Sequence, residues 1–86
     1  MKEREINGRT IKVAAAIDAV GLYCPMPIIM LSKELGKLQT KQVVEILADD
    51  EPFHKDVADW CAQTHNRLLS ISKTEEDIFV AYVEKE

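Results

Sequence analysis

Apolar residues fall into short blocks along the chain, and the spacing within each block differs. Over residues 10–19, TIKVAAAIDA mixes β-branched and small residues and predicts a strand ending near Asp18, with Gly21 marking the turn that follows. Ile28, Leu31, Leu35 and Leu38 recur at intervals of three and four, which puts them on one face of a helix over residues 26–38. Pro27 suits the first turn of that helix, where no amide donor is required. QVVEILA, residues 42–48, is short and β-branched and predicts a second, buried strand. Phe53, Val57, Trp60 and Thr64 return to helical spacing and predict a helix over residues 52–64, with Asp49 and Asp50 as capping carboxylates. RLLSISK and IFVAYVE, separated by the polar TEED, predict a closing hairpin.

The order is therefore βαβαββ. Alternating strand and helix followed by paired strands predicts an α/β fold built on one four-stranded mixed sheet, with both helices on one face. Residues 1–9 are charged and polar, with Asn7 and Gly8 as a turn, and read as a flexible lead-in to a single domain over residues 10–86.

Composition narrows the function. A chain of 86 residues with 47% apolar content builds one modest core. Charges of both signs make up 30% of it and leave a net charge of −4, so nothing attracts it in bulk to nucleic-acid phosphates or anionic lipid, and direct nucleic-acid binding is disfavoured. Its apolar stretches fall well short of the ~20 residues of a membrane span. The expectation is a cytoplasmic protein without membrane contact, and two cysteines are too few for a disulfide framework.

Of those two, Cys24 is placed for chemistry. It lies where a strand has ended and a helix is about to begin, between Gly21 and the pair Pro25 and Pro27. First-turn amides and the positive end of a helix dipole favour a thiolate there, lowering the pKa from its free value of about 8.5. The prolines restrict the backbone on both sides of Met26 and present the thiol. Leu22, Tyr23, Met26, Ile29 and Met30 surround it, and Ile29 and Met30 fall off the core face of the helix, which marks them as a docking surface for another protein. The competing reading makes Cys24 a small core hydrophobe and leaves those residues under a loop.

No histidine is aimed at Cys24 by the sequence, and no CxxC pair exists for dithiol chemistry. An activated thiol without a base suits carrying a group with partner enzymes better than catalysing a reaction alone. Cys61, one residue past Trp60, reads as a buried structural thiol, and Phe53, Trp60, Phe79 and Tyr82 read as core or core-edge aromatics. His54, Cys61 and His65, at intervals of seven and four, share a helix edge and with Cys24 form an alternative zinc set. The preferred reading has no metal and no cofactor. A regulatory or interaction module without catalysis is the other alternative.

DAVGLYCPMP, with ILADD after the first helix and DVADWC in the second, resembles the TusA (SirA-like) family of small sulfur-carrier proteins, which share a CPxP motif. The resemblance runs over residues 13–84. It implies a two-layer α/β sandwich in which Cys24 accepts sulfane sulfur as a persulfide, with Gly21, Pro25 and Pro27 as motif support. It also implies a sulfur donor of cysteine desulfurase or rhodanese type and an acceptor sulfurtransferase, in a relay serving tRNA thiolation, molybdenum-cofactor synthesis, sulfur oxidation or selenium metabolism. Val20 before the glycine, Thr40 and Lys41 before the second strand, and Glu51 ahead of Pro52 depart from the common family pattern; all lie in turns.

Overall fold

A computed structural model describes residues 2–6, 8–23 and 25–86; for Lys2, Arg4, Ile6 and Arg9 the description covers the backbone alone. The elements are β1 (Lys2–Ile6), β2 (Arg9–Asp18), α1 (Met26–Gly36), β3 (Val43–Ala48), α2 (Phe53–Thr64), β4 (Arg67–Lys73) and β5 (Phe79–Glu84). From β2 onward this is the expected βαβαββ order. The strands form one mixed sheet in the order β1-β2-β3-β5-β4, with β2 parallel to β3 and the other pairs antiparallel.

The lead-in expected over residues 1–9 is corrected: residues 2–6 form β1, which pairs with β2 and adds a fifth strand to the four expected. No apolar alternation announces it, because an edge strand need not bury a face and tolerates charge. What selects it is the turn and the pairing. Gly8 has a φ of +78°, and Ile6 lies opposite Arg9 across a two-residue connection of the kind Asn-Gly favours. Glu3 lies opposite Lys12, a cross-strand pair of opposite charge. Asn7 itself lies outside the described residues.

One core cluster joins the helices to the sheet. Leu31 and Leu35 from α1 and Phe53, Val57 and Cys61 from α2 pack with Ile17, Val44, Ile46, Ala48, Phe79, Ala81 and Val83. Both helices therefore lie on the same face, and the three-to-four spacing of their apolar residues is the cause. Ile28 and Leu38 pack at the margin of this cluster, as does Trp60. Phe53 anchors the start of α2, fully buried with its ring 6.3 Å from that of Phe79. On the opposite face Glu45 is only 8% exposed, and it accepts a hydrogen bond from the Tyr82 hydroxyl at 2.8 Å. That bond offsets the cost of withdrawing a carboxylate from water.

The parallel β2–β3 pair decides where function can sit. Because the two strands run the same way, their C-terminal ends lie together, and both helices start from that one end of the sheet.

Candidate functional site

The segment between β2 and α1 is built from two consecutive turns. The Ala19 amide donates to the Leu47 carbonyl at 2.8 Å and carries the β2–β3 ladder one residue past β2. The chain then reverses, with the Leu22 amide donating to the Ala19 carbonyl at 3.1 Å and the Val20 amide to Asp18 Oδ1 at 3.1 Å. Gly21 occupies the third position of this turn with a φ of +88°, a conformation that glycine adopts without strain. A Cβ there would meet no atom within 4 Å, so backbone angle and not space requires the glycine.

In the second turn the Met26 amide donates to the Tyr23 carbonyl at 2.8 Å. Cys24, the residue enclosed by that turn, lies outside the described residues. Pro25 takes the N-cap position of α1 without a side-chain cap, and the Ile29 amide makes the first helical bond, to the Pro25 carbonyl at 3.0 Å. Pro27 is fully buried. The amide of Met26 is occupied and Pro27 has none, so the expected support from free first-turn amides shrinks. The helix dipole is left as the main source of positive potential, and no acidic residue in the first turn of α1 opposes it.

The apolar neighbours divide. Tyr23 is 75% exposed, Met26 45% and Ile29 40%, and Val20, a departure from the common family pattern, joins them at 41%. These are the large apolar side chains that stand out among the described residues, and all lie within five positions of Cys24. Leu22 and Met30, expected on the same docking surface, are half-buried and pack against the core instead. Met30 directly precedes the fully buried Leu31, which draws it toward the core margin.

The capping role expected for Asp49 and Asp50 is corrected. Pro52 occupies the N-cap position of α2 with no side-chain cap, and the Phe53 amide donates to the backbone carbonyl of Asp50 at 3.0 Å. Glu51 and Pro52 form a turn between the two carboxylates and the first residue of the helix. Asp49 turns the other way: its Oδ1 accepts the Gly21 amide at 2.9 Å, across 28 residues of sequence. No side-chain pattern announces this contact, since its partner is a backbone amide 28 residues away.

Cys61 is 3% exposed, and burial pushes its thiol up to about 11. Such a thiol stays protonated and inert at neutral pH. His54 lies in the first turn of α2, its ring stacked at 5.8 Å on Phe79, whereas His65 is the C-cap of the same helix. Eleven residues of helix hold them about 16 Å apart. Cys61 packs into the core between them, and among the described residues no group of three metal-binding side chains converges.

A family model described as Sulfurtransferase TusA matches residues 15–85. The chain belongs to the TusA family. A TusA-family relative in Archaeoglobus fulgidus, a putative sulfur carrier protein, is 36% identical over 69 residues, which cover 80% of this chain and 93% of that protein. A putative sulfur carrier protein of Aquifex aeolicus is 33% identical over 75 residues, 87% of this chain; the match spans only 38% of that longer protein. The crystal structure of a SirA-like protein from Desulfitobacterium hafniense superposes with a TM-score of 0.75 at 22% identity, over 84% of this chain and 99% of that one, and shows the same fold.

Proposed function

We propose that this TusA-family chain is a sulfur carrier whose Cys24 holds sulfane sulfur as a persulfide. The observation that supports this best is the clustering of exposed Val20, Tyr23, Met26 and Ile29 around position 24, at a helix start with no acid in its first turn. The dipole favours a thiolate at that position, and the apolar surface fits a protein that delivers or collects the sulfur.

In loading, the Cys24 thiolate attacks the outer sulfur of a donor persulfide. The donor S–S bond breaks, the donor cysteine leaves as a thiolate, and Cys24 carries the sulfane sulfur. In delivery an acceptor thiolate attacks that outer sulfur, the Cys24–sulfur bond breaks, and Cys24 leaves as a thiolate. Each step is a thiol exchange with no net oxidation and no requirement for a base in the carrier. Suitable donors are cysteine desulfurases or rhodanese-type enzymes, and the acceptor is a second sulfurtransferase. tRNA thiolation, cofactor synthesis and sulfur oxidation are outlets of this chemistry. A reducing cytoplasm suits a free reactive thiol, and among the described residues no helix is long and apolar enough to cross a membrane.

Incubation with a cysteine desulfurase and cysteine, followed by intact mass spectrometry, tests the proposal. One added sulfur, about 32 Da, is expected on the wild type, removed by reductant and absent in Cys24→Ser. Equal uptake by both proteins overturns the assignment to Cys24. Binding of the desulfurase without sulfur uptake supports a pure interaction module instead.

A further inference from the structure

We infer that Asp49 is a positioning residue for Cys24, acting through the Gly21 amide and never touching the sulfur; the inference rests on the carrier reading above. The described residues on the two sides of position 24 are held by separate contacts. On its C-terminal side the Tyr23–Met26 turn runs directly into α1, whose Pro27 is fully buried. On its N-terminal side stands the 19–22 turn, which contains a glycine at positive φ and is closed by one local backbone bond of 3.1 Å. Glycine is the residue with the most backbone freedom to lose, so a short local turn of this kind is a weak support.

Asp49 supplies the distant anchor. It directly follows Ala48, a fully buried residue at the end of β3, and β3 is paired on both sides, with β2 and with β5. A carboxylate on this rigid strand end accepts the Gly21 amide at 2.9 Å, three residues before Cys24. A hydrogen bond to an ionised acceptor is among the stronger kinds. Asp49 itself is exposed and outside the core cluster, so its removal leaves the packing of Ile17, Ile46 and Phe53 intact. The bond thus orders the thiol-bearing segment far more than it stabilises the domain. Transfer between two docked proteins is sensitive to misplacement of the reacting atom, whereas reaction with a small diffusing reagent is not.

The test compares Asp49→Ala and Asp49→Asn with the wild type, using two sulfur donors and the exchange rate of the Gly21 amide. With a persulfide-loaded cysteine desulfurase as donor, Asp49→Ala loads Cys24 at least about tenfold more slowly. With inorganic polysulfide the same variant stays within about threefold of wild type, and its thermal midpoint shifts by only a few degrees. Asp49→Asn keeps an oxygen acceptor and restores desulfurase loading. The Gly21 amide loses protection in Asp49→Ala and keeps it in Asp49→Asn.

Wild-type loading by Asp49→Ala overturns the inference, as does equal impairment of both variants or a parallel loss with both donors. If the wild type takes up sulfur at Cys24 from neither donor, the carrier reading falls. The tether is then judged on Gly21 exchange alone, and equal exchange in wild type and Asp49→Ala overturns it.

Discussion

Two helices begin at the same end of this sheet, both with proline at the N-cap position and neither with a side-chain cap. At the start of α2, Asp50 and Glu51 precede the helix and Asp56 lies in its first turn. Its first residue, Phe53, is buried against Phe79. That helix start is neutralised and closed from within the chain. The start of α1 has no acid in its first turn, and its first residue, Met26, is exposed beside Tyr23 and Ile29. Asp56 lies within the first turn of α2, whereas the acids near the start of α1 come from outside that helix: Asp50 and Asp56 line a small cavity with Pro27 and Ile28, and Asp49 accepts the Gly21 amide. The difference lies in what covers each start: Phe53 is buried at α2, whereas Met26, Tyr23 and Ile29 are exposed at α1.

The sharpest way to break this comparison is to label the two cysteines, each of which belongs to one of the helix regions. At pH 8 a thiol at about 11 is thiolate in roughly one molecule in a thousand. Iodoacetamide is therefore expected to modify Cys24 more than about a hundredfold faster than Cys61, with peptide mapping as the readout. Comparable rates would remove the distinction between a presented thiol at the start of α1 and a core thiol within α2.

Next in size is Phe53→Ala, which opens a cavity under α2 and is expected to cost about 3–5 kcal/mol in denaturant unfolding. Phe53 lines one small cavity with Pro27 and Ile28, so Cys24 alkylation in the remaining folded protein is expected to change with it, by less than the labelling of Cys61.

An alkaline loss of stability comes third. Below pH 9 the Cys61 thiol keeps its proton whether the chain is folded or not. Between its ordinary 9.0 and about 11 the unfolded chain releases the proton and the folded chain does not, so stability falls as pH rises. The loss reaches about 2–3 kcal/mol near pH 11. Subtracting the pH profile of Cys61→Ala isolates it, and parallel profiles would refute it.

The smallest effect is electrostatic. Met26→Glu places in α1 the kind of acid that α2 already has, and should raise the apparent pKa of Cys24 alkylation by less than about one unit, diminishing with added salt.

Both helices and strands β2 to β5 were legible in the sequence, because each carries an apolar face at its own period: Leu31 and Leu35 on α1, Val44 and Ile46 on β3. β1 was not, since KEREI shows no apolar alternation and its position is set by pairing with β2, which local sequence does not encode. At the candidate site Gly21 was legible from the turn signal and the exposure of Ile29 from the helical wheel, which placed Met30 wrongly beside it. The burial of Leu22 and Met30 was not, because it depends on how closely the turn and the flank of α1 lie against the core. The role of Asp49 was hidden for the same reason: its partner lies 28 residues away and is a backbone amide, which no pattern of side chains reveals.

The Ala19–Leu47 and Gly21–Asp49 bonds also bear on the order of events as the chain is made. A nascent chain that has released Cys24 and α1 but not β3 has no anchor for Gly21. The reactive turn is completed with non-local strand pairing, the slow class of folding event, and not with its own helix. On the carrier reading proposed above, a chain cut short before Asp49 carries its thiol on an untethered turn, and the tether is complete only once β3 has joined the sheet.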